Sequence, residues 1–263
     1  MIANTNTTTN AKTKGKLYLV PAPLDFGCET QAPLQDVMPL ATLQIAARLP
    51  HWICENAKST RAYLKRVNEL QPLANPVQAL HIQELPREVH KKGDHSGNFD
   101  ARPLLAAALQ GHDIGLVSEA GMPAIADPGS SVVRAAHDLG LQVLALTGPM
   151  SLMLALASSG LNGQNFAFVG YLPQDPSGRA QRIRELESLA LKTGQTQIFI
   201  ETPYRNTALL QSLLQTLQSN TRLALSCGLT MSASASYSAQ VSQWRRDKPA
   251  LPLDLPGVFC LGR

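Results

Sequence analysis

Four stretches of this 263-residue chain place Gly and Pro at the ends of apolar runs: Pro21-Ala22-Pro23, Ser118 to Gly129 (SEAGMPAIADPG), Thr147-Gly148-Pro149 and Glu201-Thr202-Pro203. Loops of this composition let a backbone approach a ligand closely and offer N–H and C=O groups at short range. The usual phosphate cradles are missing. There is no G-x-x-x-x-G-K-[ST], and no G-x-G-x-x-G follows the first apolar run. An ordinary P-loop nucleotide hydrolase and a standard NAD site are therefore not expected. No H-E-x-x-H, clustered His or C-x-x-C supports a metal, and no G-x-S-x-G elbow supports a serine nucleophile. What remains is recognition of a ligand with polar edges and no phosphates, such as an adenosyl amino acid.

Such loops need strands to end on. Between Asp113 and Gly160 an apolar run (Ile114 to Val117) leads into the long loop, and a helical pattern (Ser130 to Leu139) is stopped by Gly140. A second run (Val143 to Leu146), a tight turn and a small-residue helix from Ser151 complete a β–loop–α–β–turn–α unit. Apolar runs without alternation suit parallel strands covered on both faces, and ligands bind at the carboxyl ends of such strands. Further strands are expected at residues 17–20, 52–55, 80–85, 166–170, 197–200 and 222–225, with 258–261 closing the sheet. Helices are expected at 40–49, at 60–70 with Ser59 as N-cap, at 104–109, at 177–191, and from Pro203 to about Ser219. Residues 86–100 (PREVHKKGDHSGNFD) read as a long polar surface loop, and 231–240 (MSASASYSAQ) as another loop. The class is α/β. A division near residue 146 gives domains at 15–146 and 147–263, after a Thr/Asn-rich tail, 1–14, expected to be disordered.

The net charge of +4 permits an acidic partner such as RNA without demanding one. Cys28, Cys54, Cys227 and Cys260 are far apart in sequence, as suits thiols in a reducing, cytoplasmic setting. No apolar run reaches the length of a membrane span, and the polar N-terminal residues do not read as a signal peptide.

Several motifs, in order, resemble the ribosomal RNA small-subunit methyltransferase I group of the tetrapyrrole methylase superfamily. Leu17 to Pro23 (LYLVPAP) resembles its L-Y-L-V-A-T-P, and Cys54 to Lys58 (CENAK) its A-E-D-T-R. Ser118 to Gly129 resembles S-D-A-G-T-P-L-I-S-D-P-G, the most specific match. Gly148 to Ser151 (GPMS) is similar to G-P-C-A, Phe168 to Pro173 (FVGYLP) to F-x-G-F-L-P, and Phe199 to Arg205 (FIETPYR) to F-Y-E-S-T-H-R. The resemblance implies two α/β domains with S-adenosylmethionine in the cleft between them, usually in a homodimer. It implies cofactor contacts at Ala22 and Pro23, at Gly121, Met122, Pro123 and Ile125, at Ser151 and Leu152, at Glu201 and Thr202, and at Leu225 and Ser226. The acceptor implied is a ribose 2′-hydroxyl of ribosomal RNA. That oxygen is a poor nucleophile, so a nearby base or cation would help. The candidates are Glu55, Lys58, His95, Glu119 and Arg205, with Glu119 and Glu201 also suited simply to securing loops. No metal is implied.

The chain departs from the group where Asn56, Ala57 and Lys58 replace Asp, Thr and Arg, and where His95-Ser96-Gly97 replaces H-N-E. It also lacks the G-D-P frequent in the wider superfamily. A tetrapyrrole carbon methyltransferase, and a paralogue that binds cofactor or RNA without catalysis, are the alternatives.

Overall fold

The structure, a computed structural model, describes residues 13–92, 94 and 99–263. In chain order the elements are β1 (Lys16–Leu19), α1 (Leu34–Val37), α2 (Leu40–Arg48), β2 (His51–Cys54), α3 (Ala57–Leu70), β3 (His81–Glu84), α4 (Arg87–Lys92), α5 (Ala106–Leu109), β4 (Ile114–Val117), α6 (Ser130–Asp138) and β5 (Gln142–Ala145). There follow α7 (Ser151–Ser159), β6 (Phe166–Tyr171), α8 (Pro176–Thr193), β7 (Thr196–Glu201), α9 (Asn206–Thr216), β8 (Arg222–Cys227), β9 (Ala235–Gln240), α10 (Val241–Asp247) and β10 (Gly257–Gly262). Residues 1–12 of the expected tail lie outside the described residues. Among the described residues no helix is long and apolar enough to cross a membrane.

The chain forms two compact units, Met1–Ala22 with Met38–Gly148, and Pro23–Val37 with Pro149–Arg263. Residues 23–37, grouped by sequence order with the first half, thus pack with the second. Phe26 to Pro33 line cavities there together with Met231 and Asp254.

The first unit holds a five-stranded sheet, order β3-β2-β4-β1-β5, with every pair parallel. The apolar run of β4 is buried at all four positions, which explains its lack of alternation. Leu17, Ile53, Ile114 and Leu116 meet Val132 and Ala136 of α6 on one face. Gly115 allows the sheet to close around Trp52, because a Cβ at this position would lie 2.7 Å from the indole ring.

The second unit holds a mixed sheet, order β6-β7-β10-β8-β9. Only β6 and β7 pair in parallel; the other pairs are antiparallel. Alternate residues separate two apolar layers. Phe199, Leu223, Leu225 and Phe259 pack with Ile183, Leu213 and Trp244. Ile198, Ala224 and Val258 pack with Leu152 and Leu156 of α7.

Four local expectations are corrected. The strand at 258–261 does not close a sheet but lies at its centre as β10. The segment 231–240 is not all loop: β9 pairs with β8 along its whole length, so tertiary pairing overrides a weak propensity. The segment 86–100 opens with α4. Finally, α3 begins at Ala57, capped by Asn56, whose side chain accepts from the N–H groups of Lys58 and Ser59. Ser59 lies inside the helix, and its hydroxyl donates to Asn56 O at 3.0 Å.

Candidate functional site

In the first unit the loops after β1 and β4 are stitched together. Ala22 N–H donates to Gly121 O at 2.9 Å, and Gly121 N–H donates to Ala22 O at 3.0 Å. Tyr63 of α3 donates its hydroxyl to Pro21 O at 3.2 Å. Gly148 packs so tightly on the Pro21 ring that a Cβ would overlap it. The three expected loops of this unit are therefore one rigid cluster at the carboxyl end of the sheet.

Its centre is the turn 121–129. Gly121 sits at φ 69°, and Ala124 and Ala126, at 65° and 66°, also occupy the left-handed region. Two alanines held there store strain that only the surrounding structure can maintain. Between them Ile125 is presented to solvent, 40% exposed. Met122 is half-buried and Pro123 buried. The turn ends at Gly129, φ 137°, where a Cβ would come within 3.3 Å of Ala124.

A residue outside every motif clamps this end. Asp94, 4% exposed, accepts four hydrogen bonds: from Gly129 N–H (2.9 Å), Ser130 Oγ (2.8 Å), Ser131 N–H (2.8 Å) and Ser131 Oγ (2.6 Å). It supplies the cap that Gly129, lacking a side chain, cannot give α6. Burial raises its pKa, but the bonds from Ser131, Ser130 and Gly129 outweigh burial and hold it below the ordinary carboxylate value.

Three carboxylates gather beside the turn. Burial pushes Asp127 up to about 7, and the charges of Glu55 and Glu119 add to the shift. Glu55 follows β2, and Glu119 accepts from Ser59 Oγ at 3.4 Å. Lys58 stands exposed in the first turn of α3. His95 lies outside the described residues.

In the second unit the start of α7 has no side-chain cap, so the N–H groups of Ser151 and Leu152 are open to an anion. The Leu152 side chain is buried in the core, which leaves its backbone as the group on offer. Glu201 secures its own loop, accepting from Thr202 N–H (2.7 Å) and Thr202 Oγ1 (3.2 Å). Arg205 pairs with the same carboxylate at 2.8 Å. Leu225 is fully buried, with its side chain in the core. Ser226 shares a hydroxyl chain with Ser158 (3.1 Å) and Ser236 (2.8 Å). A cavity of about 410 Å³, lined by Cys28, Pro203, Met231 and Asp254 among others, opens beside the Thr202-Pro203 turn. Pro23 is buried in this unit.

Within the first unit the structure thus brings Ala22 and Gly121 into direct contact, with Met122, Pro123 and Ile125 on the same turn. Glu55 acts electrostatically on Asp127, while Lys58 stays exposed at the α3 start. Sequence reasoning passes over Asp94, Asp127 and the capping role of Asn56. Asp127 stands in the matched A-D-P-G, so its position is visible although its proton affinity is not. Asp94 carries no local signal, since its partners lie 35 to 37 residues away.

A family profile described as Tetrapyrrole (Corrin/Porphyrin) Methylases matches residues 40–243. A protein of Vibrio cholerae named ribosomal RNA small subunit methyltransferase I is 33% identical over 215 residues, 81% of this chain and 65% of that protein. A protein of the same name from Mesorhizobium japonicum is 31% identical, covering 81% of this chain and 63% of its own length. The chain spans 65%, 51% and 60% of the first three such relatives. Among solved structures, uroporphyrin-III-C-methyltransferase from Thermus thermophilus superposes with TM-score 0.53 at 18% identity, covering 95% of this chain and 94% of that one.

Proposed function

The chain belongs to the tetrapyrrole methylase family, and from that premise we propose that it is an S-adenosylmethionine-dependent methyltransferase acting on a ribose 2′-hydroxyl of small-subunit ribosomal RNA. The observation that carries the reading is the turn 121–129, locked to Ala22 and holding two alanines in left-handed geometry. Strain of this kind clusters where a backbone is shaped for a ligand. Each unit by itself carries residues that fit the cofactor: in the first, Met122, Pro123 and Ile125 offer backbone polar groups beside an exposed apolar side chain, and in the second the uncapped start of α7 suits a carboxylate.

When bound, the cofactor supplies an electrophilic methyl group on a sulfonium, and its leaving group needs no protonation. The chain's own task is to hold the acceptor oxygen in line and to keep water away. The Glu55, Glu119 and Asp127 cluster supplies a carboxylate able to take the hydroxyl proton near neutrality. Lys58 serves to attract the RNA backbone. Likeness to ribosomal methyltransferases at 31–33% identity favours this acceptor over a tetrapyrrole carbon, for which the solved structures offer similarity of fold. A homodimer completes the reading and is checked by light scattering.

Calorimetric titration with S-adenosylmethionine and S-adenosylhomocysteine, on the wild type and on Met122→Arg, tests the cofactor. Binding that Met122→Arg abolishes supports the assignment, and a wild type that binds neither compound sinks it. Mass spectrometry of ribosomal RNA from a deletion strain tests the acceptor: one methyl group should be missing.

A further inference from the structure

Tyr204 is 80% exposed, the highest value for any large apolar or aromatic side chain among the described residues. Its turn is anchored on both sides. Pro203 opens the 3-10 turn Pro203–Arg205 and fixes its backbone. Glu201, nearly buried, holds Arg205 through Nε (2.9 Å) and Nη2 (2.8 Å). The guanidinium lies 5.2 Å from the Tyr204 ring centroid, covering one face of the ring. The ring is thus backed by a cation on one side and open on the other.

A second exposed aromatic, Tyr171, 55% exposed, leaves the same end of the neighbouring parallel strand, where it pairs with Ile200. Both tyrosines stand at the carboxyl end of β6 and β7. A single exposed tyrosine needs no explanation. Two at one strand end, one of them braced by an anchored Arg, form a platform for a flat, π-bearing partner.

We propose that Tyr204 is a nucleobase-stacking residue, taking an unpaired base of the RNA substrate on its open face, with Tyr171 placed for a neighbouring base. The assignment rests on the RNA-methyltransferase reading and adds to it how the acceptor strand is held. Unpaired bases stack on aromatic faces irrespective of sequence, and the Glu201–Arg205 pair keeps the ring oriented before binding. Arg205 is then a positioning residue, acting through Tyr204.

The test compares binding of a fluorescein-labelled, mixed-sequence single-stranded RNA decamer to the wild type, Tyr204→Ala, Tyr204→Leu, Tyr204→Phe and Tyr204→Trp. Calorimetry with S-adenosylmethionine and thermal melts run in parallel. Loss of one base–aromatic stack should weaken RNA binding roughly 5- to 150-fold in Tyr204→Ala and Tyr204→Leu. Tyr204→Phe and Tyr204→Trp, which keep a π face, should stay within about threefold of the wild type. Cofactor affinity and melting temperature should not move. Equal RNA affinity for wild type and Tyr204→Ala overturns the proposal, as does a wild type that does not bind the decamer. A change in oligomeric state with unchanged RNA binding also overturns it, by assigning the tyrosine to a contact between copies. If the wild type binds the decamer, Tyr204→Ala weakens that binding and no cofactor binds, the stacking assignment stands and the methyltransferase reading fails. If cofactor and methyl transfer are intact and Tyr204→Ala binds RNA normally, only the stacking assignment falls.

Discussion

Replacing Asp94 by Ala removes an acceptor that takes four hydrogen bonds at the end of the strained turn. The hydroxyls of Ser130 and Ser131 can rotate to other partners. The N–H groups of Gly129 and Ser131 cannot, and both residues are buried. Each buried donor left unmet costs about 1–3 kcal/mol, and loss of a helix N-cap costs about 0.5–2 kcal/mol. These describe overlapping parts of one event, so the expected loss is about 3 kcal/mol rather than their sum. In a domain of this size that is a fall of about 10 °C in melting temperature. Asp94→Asn keeps one acceptor oxygen and should lose about half as much. The folded-state pKa of Asp94 is lowered, so its contribution is present above the unfolded carboxylate value, about 3.9, and is lost as pH falls from there through the lower folded-state pKa. Differential scanning calorimetry across pH 3 to 8 measures both effects, and the wild-type advantage over Asp94→Asn should fade toward pH 3. A melting temperature for Asp94→Ala within about 2 °C of wild type at pH 7 would refute the idea that this carboxylate holds the turn.

Asp127 behaves in the opposite sense. Its raised pKa means that the contribution is complete below the unfolded value and lost as pH rises toward about 7, so Asp127→Asn should match wild type near pH 4 and exceed it by about 2 kcal/mol at pH 8 in urea denaturation. At the amino end of the first sheet, His51 stacks on His81 at 4.8 Å and lies 5.2 Å from His112. Burial, then the charges of His81 and His112, lower its pKa, so its contribution is present above about pH 6.5 and is lost as pH falls. His51→Gln should flatten the drop in urea midpoint between pH 7.5 and 5.5. Thr230, β-branched at φ 70°, has a buried hydroxyl with no partner among the described residues. Thr230→Gly should relieve the backbone strain and stabilise the protein by about 1 kcal/mol, seen as a rise in melting temperature.

The parallel sheet of the first unit is legible because burial on both faces imprints continuous apolar runs such as Ile114 to Val117. The loops are legible because left-handed and close-approach geometries demand Gly or Pro, as at Gly121 and Gly148. β9 is not legible, since the small polar residues of ASYSAQ gain their order from β8 rather than from their own pattern. The cap of α3 is misplaced by three residues because Asn56 and Ser59 both suit the role. Only the backbone entering the helix decides between them. At the site, the turn 121–129 is recognisable as a motif, but its electrostatics are not. The proton affinity of Asp127 arises when Glu55 is folded beside it, and Asp94 meets α6 only through tertiary structure. Arg205 is legible as a cation near the site, but its pairing with Glu201 is fixed only by the fold.

The placement of β10 has a consequence for synthesis. The first unit has all its strands once Gly148 has been translated. The second sheet is split until β10 inserts between β7 and β8, both made earlier. Residues 23–37 leave the ribosome long before the surface they pack on exists. From the end of β7 to the start of β10 the ribosome adds 56 residues, which at about 5–20 residues per second takes roughly 3–11 s, and during that time β7, later joined by β8, has an exposed edge. A stop codon between residues 241 and 256 therefore does more than shorten the protein: it leaves two half-sheets, β6-β7 and β8-β9, that chaperones and proteases will recognise as unfinished.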